Sequence, residues 1–518
     1  MSNNIPRIRY MAKIVDFDRP FAALNRADEV DSHVNQSIKG NEVLVLAERK
    51  TLKGKLAFQN PGIANSEMRQ FFQYAKTGAT FSLWVNKAQG PYLGFEGFTL
   101  ITNDFQTGTT SRSNTGYYQD HYTGDLKSVA ANKPRFETGK FGAGLLNEKN
   151  SVNWITQNQF AAWVAASASY DKIGYMNDPT NSTTLAQIVE LTGTQGGFLI
   201  VTNRLVSLAT KGCFSMYGRA YDQTLRAELL LQHDTGSPVF QTALMELTCD
   251  WQRFHVATLN HGYTAAGAKW RCDFNIYGST GDKAIFAFPQ FEETSYPSSY
   301  MLTESATFAR GLDHHSFPIV VDDDIDPCKG TLLFWIKPLF QYADDDVHTF
   351  IIIEDSLGSD FIQIWKSSSG NLRVTMATGD NVDVVDLTID PSTFFTAGTW
   401  TRIAVAWDLS VADGVNVYAN GTAVATSFTD SFSPVQSPSI VRISTSSDSG
   451  SFVIDELEIL KYAMNAGEAS ADASMLRARG IGQNKYTSMQ LLSTAWNPAL
   501  RSGRAYYEFD LDIIEYNP

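Results

Sequence analysis

Asn416-Val417-Tyr418-Ala419-Asn420-Gly421-Thr422-Ala423-Val424 decides how this chain is read. Asn-Gly suits the two central positions of a type I′ turn, both of which take positive φ, so the stretch predicts a tight β-hairpin. A lone hairpin is marginal in water and needs a sheet around it. Working outward, Ile403, Val405 and Trp407 form one face of a preceding strand. Leu333-Phe334-Trp335-Ile336 is apolar at every position, which predicts a strand buried on both faces. Phe452-Val453-Ile454-Asp455-Glu456-Leu457 closes the set, giving a β-sandwich over about 313–462. A helix is expected over Ala469–Arg479, stopped by Gly480.

Between about 100 and 312, short strands recur with turn residues at sandwich spacing. Phe254, Val256 and Thr258 alternate with His255 and Ala257, and Phe286 and Phe288 flank Ala287. Asn177–Ser182 and Thr192–Gly197 read as loops. The first 98 residues read as a small α+β unit. It has strands at Val43–Leu46, Leu52–Phe58 and Thr80–Val85, and a helix from Asn65/Ser66 that carries Met68, Phe71, Phe72 and Ala75 and stops at Gly78. The stretch Ala505–Ile513 alternates apolar and acidic or polar residues, which predicts a strand with one wet face. A final strand must join an existing sheet. It either completes the preceding sandwich or returns to the opening unit. The return is expected, which makes the two sandwiches an insertion. The expected fold is mostly β, with a discontinuous α+β domain over 1–98 plus 480–518 and sandwiches over 99–312 and 313–479.

Three resemblances follow. Trp400–Trp407, the Tyr418–Gly421 hairpin and Ile454–Leu457 resemble the laminin-G-like (concanavalin-like) jelly roll, a family of lectins, enzymes and spacers. Asn132-Lys133-Pro134-Arg135-Phe136, Gly142–Glu148 and Tyr296–Tyr300 with Thr303 and Arg310 resemble carbohydrate-binding-like jelly rolls of phage tail and fibre proteins. Arg49–Phe58, the Ser66–Lys76 helix, Phe81–Trp84 and the closing strand resemble the ring domain of phage distal tail proteins. That resemblance implies a virion tail-tip protein made in the host cytoplasm. Its partners would be further copies of itself, in a ring of three or six, other tail proteins and host-surface polysaccharide. A tail fibre, a capsid decoration protein and a jelly-roll polysaccharide-degrading enzyme are the alternatives.

The 518 residues suggest about three domains, and 43% hydrophobic residues allow several cores. A net charge of −14 argues against a nucleic-acid backbone as partner. No apolar run nears the roughly 20 residues of a membrane helix, and Met1–Val15 does not read as a signal peptide. Cys213, Cys249, Cys272 and Cys328 form no CxxC pair and are expected as buried thiols, with a disulfide among the first three as the alternative.

No catalytic constellation and no cofactor site emerges. Asp510 and Asp512 share a strand face that solvent exposure explains, and Glu456 and Glu458 are expected to face solvent or cap a turn. Asp322-Asp323-Asp324-Ile325-Asp326 lacks the Gly and Glu of an EF-type loop, and Asp344-Asp345-Asp346 reads as an exposed loop. His314 and His315 are expected in a linker, pointing opposite ways, and no metal is expected. Sugar binding calls for aromatic platforms beside polar groups. Tyr263, Trp270, Tyr277 and Trp365 are the candidates, with Tyr170 behind them, whereas Trp251 and Trp400 are expected in cores.

Overall fold

The computed structural model describes most of residues 108–474 with their side chains, and the strands between residues 7 and 103 and between 485 and 515 through their backbone pairing. The architecture is mostly β, in several antiparallel sheets. The Asn-Gly hairpin forms as expected. Ala419 pairs with Thr422 across the turn, with Asn420 at φ 49° and Gly421 at φ 80°.

The hairpin edges one sheet of a two-sheet sandwich. Inward from it lie Thr401–Asp408, Lys329–Pro338 and Phe452–Leu460. Lys329–Pro338 is buried over nearly its whole length, as its continuous apolar run predicts. The facing sheet runs from Asp383–Ile389 through His348–Glu354 to Ile440–Ile443, His314–Pro318 and Thr109–Ser111. Phe334, Ile351, Val405 and Trp407 interdigitate in the core between them. Gly330 is what lets Trp407 lie flat, since a Cβ there would overlap the indole. The histidine pair is therefore in a strand and not in a linker. His315 Nδ1 meets Thr110 Oγ1 at 3.0 Å, while His314 Nε2 meets Arg442 on the other side.

Strands from earlier in the chain extend this sandwich. Arg135–Thr138 and Ala143–Asn147 add to Phe452–Leu460, and Gln89–Glu96 pairs with the same strand, Leu93 opposite Leu457. That covering buries Asp455, Glu456 and Glu458, the last two of which were expected to face solvent or cap a turn. The Asp455 carboxylate accepts the backbone N–H groups of Lys140 and Phe141.

The middle sandwich stacks two five-stranded sheets around Phe198, Trp270, Phe274 and Phe286. Its 195–205 strand starts earlier than its glycines suggested. Gly196 and Gly197 lie within Gln195–Leu205, where Gly197 makes room for the Asn275 side chain. Entry and exit of the module are held together, because Ser151–Asn153 pairs with Phe308–Arg310.

A further sheet draws on both ends of the sequence. Its order is Lys13–Asp16, Arg7–Tyr10, Phe81–Trp84, Lys485–Leu491, Tyr507–Glu515, Glu42–Phe58 and Leu24–Gln36. The closing strand pairs with Glu42–Phe58, from Tyr507 opposite Phe58 to Ile514 opposite Thr51. The two short strands expected at Val43–Leu46 and Leu52–Phe58 are one continuous strand. Of the helix expected over Ser66–Lys76, Phe71 falls among the described residues and is helical and buried; the rest lies outside them.

The helix expected over Ala469–Arg479 is Ala466–Ala473, starting three residues earlier, while the expected stop at Gly480 lies outside the described residues. Asn465 sets its start through a capping box, its side chain accepting from Glu468 N while Glu468 accepts from Asn465 N. Arg402, buried in the sheet, donates to Asp472 Oδ2 at 2.6 Å and ties the helix down.

None of the four cysteines is in a disulfide. Cys213 and Cys272 are buried as expected, whereas Cys249, in the bend after Val239–Leu247, and Cys328, in the turn before Lys329–Pro338, are exposed.

Candidate functional site

The residues that carried the middle resemblance converge on one buried ionic cluster where the two sandwiches meet. Arg112, Arg135 and Arg310 lie among Glu148, Glu292 and Asp313, and all six are nearly or fully buried. Arg135 binds Glu148 at 2.6 Å and also contacts Asp313; Arg112 donates to Asp313 at 3.0 Å, and Arg310 reaches Glu148 at 3.1 Å. Ser151 and Ser298 donate to Glu292, and Ser299 donates to Glu148. Buried charges persist only when paired and hydrogen-bonded; here the three arginines pair with Glu148 and Asp313, while Ser151, Gln290 and Ser298 hydrogen-bond Glu292. Burial alone would raise the Glu148 carboxyl, but Arg310, Arg135 and the Ser299 donors hold it at about 2. The cluster spans the chain's passages between the modules and fixes their relative placement.

Beside this clasp opens a partly enclosed cleft of about 210 Å³ with walls from both sandwiches. Glu137, Lys337, Leu339 and Gly398 line one side; Tyr217, Arg253, His255 and Tyr296 line the other, with Tyr118 at its margin. Glu137 sits on the short strand Arg135–Thr138, next to the clasp arginine, and strand alternation turns it away from Phe136. It is half-buried, and among the described residues no donor hydrogen-bonds its carboxylate. Desolvation pushes that carboxyl up, opposed by the charge of Lys337. Arg253 donates to Ser298 O and to Ser215 Oγ, while its Nε is buried with no acceptor. Tyr296 packs against His255 with ring centroids 4.7 Å apart. Burial and the neighbouring Arg253 lower the imidazole to about 4, so it is neutral at pH 7.

A second hollow of about 440 Å³, lined by Trp154, Asn114, Lys149 and Glu293, flanks the clasp on another side. There Arg204 lies over the Trp154 ring, 4.6 Å from its centroid, and pairs with Glu293.

The aromatic residues selected from sequence are not brought together. Trp270 is not a platform: it is fully buried in the middle core, with Phe291 at 5.1 Å, and has no face open to a sugar. Tyr277 and Trp365 are half-buried, but an arginine covers each, Arg226 at 5.6 Å and Arg373 at 5.4 Å. Tyr277 also donates to Glu228 at 2.8 Å. Tyr263 lies outside the described residues. Tyr170 packs edge-on against Phe198. Trp251 and Trp400 are half-buried under Arg219 and Lys337, with Trp251 packed against a minor core.

The Asp344–Asp346 stretch is not an exposed loop. Asp344 is buried between His348 and Lys366, and Asp346 pairs with Lys149 and Lys211 from the middle module. Asp344, Asp346 and His348 bring possible metal-ligand atoms within 4.8 Å of one another. However, the Lys366 ammonium lies 2.7 Å from Asp344 Oδ1 and donates to the backbone oxygens of Asp344, Asp346 and Ser367. An internal cation already satisfies the carboxylate. Asp324 likewise serves its own turn, accepting from Val320 N.

The fold is mostly β, in several antiparallel sheets, and includes a concanavalin-like jelly roll. Residues 316–470 match the laminin-G-type family described as the concanavalin A-like lectin/glucanases superfamily. No curated protein is a sequence match to the chain. Solved structures with local likeness include the botulinum neurotoxin serotype D binding domain, 12% identical over 31% of this chain and 40% of that one, with a TM-score of 0.26. The binding domain of Paraclostridial Mosquitocidal Protein 1 is 16% identical over the same shares, also at 0.26. The serotype D ligand-binding domain in complex with N-acetylneuraminic acid is 11% identical over 31% and 39%, at 0.27. The chain thus spans about 40% of the length of these structures, and likeness of that size bears on neither ligand nor activity.

Proposed function

We propose that this protein is a structural component of a phage virion, placed at the tail tip. Its first-and-last-strand sheet would assemble with copies of itself into a ring of three or six and contact other tail proteins. The two sandwiches would be carried outside the ring for adhesion to host-surface glycan, without catalysis. One observation carries the reading: the closing strand Tyr507–Glu515 lies in register against Glu42–Phe58, so both sandwiches are spliced into a domain built from the two ends of the sequence. The match of residues 316–470 to a lectin-type jelly roll supports the adhesive role. The Arg135, Glu148, Ser299 and Arg310 pattern supports the viral one through its likeness to phage tail modules. In a ring, several weak glycan contacts sum through effective concentration, so no single site needs high affinity.

Imaging of assembled particles labelled with an antibody against the sandwiches tests this. Label around the tail axis is the expected result. Label on capsid facets or on a distal fibre would replace the ring with a decoration or fibre role. Release of reducing ends from host capsular polysaccharide would overturn the non-enzymatic reading.

A further inference from the structure

We propose that the cleft between the two sandwiches is a saccharide site that takes one uncharged pyranose, with Glu137 accepting hydrogen bonds from neighbouring ring hydroxyls and Tyr296 packing on the ring's apolar face. This rests on the glycan-adhesion reading above and gives it a place on the molecule.

The polar groups facing the cleft are arranged for a ligand that both donates and accepts. Glu137 is an acceptor without a donor among the described residues, although the charged groups of the adjoining clasp are densely paired. Donors flank it, Lys337 on its own wall and Arg253 on the facing one. Arg253 has a buried Nε with no acceptor, and the Lys337 ammonium, which also lies over the Trp400 ring, makes a single long hydrogen bond among the described residues, to the Thr138 carbonyl at 3.5 Å. Hydroxyls supply both roles at once, because each O–H donates and accepts.

Charge selects among sugars. Groups of both signs face the cleft, so an ionised sugar gains from one side and is opposed by the other, whereas a neutral polyol hydrogen-bonds to Glu137, Arg253 and Lys337 without opposing any of them. Size selects as well. A volume of about 210 Å³ is below the roughly 300–1,000 Å³ of sites for drug-sized ligands, so the cleft suits one ring and not an extended chain. Tyr296 stays half-exposed at the wall, whereas Tyr217 and Tyr300 beneath it are buried and keep the floor rigid. The site exists only while the clasp holds the two sandwiches together, since neither module supplies both the acceptor and the platform.

The test uses the intact chain and saturation-transfer difference NMR with glucose, galactose, mannose, N-acetylglucosamine and, as the charged arm, N-acetylneuraminic acid. At least one neutral sugar should receive saturation. Glu137→Gln should weaken its binding about tenfold or more, the size expected for one charge-assisted hydrogen bond. Tyr296→Ala should weaken it too, and Trp365→Ala, outside the cleft, should leave it unchanged. Neutral-sugar binding that survives both cleft substitutions would overturn the site while leaving glycan adhesion intact. Preference for the charged sugar would overturn the stated ligand class. Absence of transfer from every neutral sugar would overturn the proposal, and binding of the same chain to a glycan array then tells whether the adhesion reading falls with it. Should Tyr296→Ala not fold, the near-isosteric Glu137→Gln decides.

Discussion

Arg135 sits fully buried between two carboxylates from segments far apart in sequence, Glu148 and Asp313. Removing one partner of such a pair strands a charge away from water. Glu148→Gln is therefore expected to cost about 3–5 kcal/mol in denaturant unfolding of the sandwiches. Acid should act on the same group. Its folded carboxyl lies at about 2 against an ordinary 4.5, so its stabilisation is fully present above pH 4.5 and drains away as pH falls towards 2. That contribution is about 3 kcal/mol at neutral pH. Unfolding midpoints measured from pH 7 down to pH 2 should fall in that window for the native protein and flatten there in Glu148→Gln. The sequence made these residues visible as a pattern but not as an ion cluster, because Asp313 and Arg310, which close it, lie more than a hundred positions from the partners they meet. The converse error was Trp270: next to a turn it reads as surface, and only the sheet that covers it says otherwise.

At the level of single elements, local chemistry was easiest to read where it is self-contained. Asn420 and Gly421 define their turn with no outside help, and the hairpin is where they put it. Gly421 also lies against the C-terminal helix, where a Cβ would collide with Ser470 and Ala469. Gly421→Ala should thus cost more than about 1 kcal/mol, combining an unfavourable positive φ with a clash, as read by thermal melting. Asn465→Ala, which removes the helix cap, should cost about 1 kcal/mol by the same measurement. Elements whose boundaries depend on neighbours were harder. Glu456 and Glu458 in Phe452–Leu460 read as solvent-facing or turn-capping, yet strands from residues 89–147 cover that strand and bury both of them. The cleft was illegible for the same reason: Glu137 and Tyr296 are unremarkable until two sandwiches face each other across them.

Across the whole molecule, one device recurs. The middle sandwich is spliced in between paired strands at Ser151–Asn153 and Phe308–Arg310. The same occurs around both sandwiches at Phe81–Trp84 and Lys485–Leu491, where Trp84 lies opposite Lys485. Alternation in Ala505–Ile513 predicted a strand, and its orphan position predicted a distant partner; the register against Glu42–Phe58 needed coordinates. Truncation after residue 506 should leave Glu42–Phe58 with an open edge. Limited proteolysis with mass spectrometry should then show rapid loss of the opening unit, while a fragment near residues 108–474 persists. Equal protection of both halves would mean that the opening unit does not depend on the closing strand.

The Trp84–Lys485 rung has a mechanical consequence. Tension on the sandwiches enters that strand pair at its open end and loads the hydrogen bonds in succession, as a zipper is opened, so the pair alone is a weak tether. Gln89–Glu96, stitched onto Phe452–Leu460, intercepts part of that pull before it arrives. A chain pulled by its sandwiches would therefore be expected to yield at this seam before either jelly roll unravels.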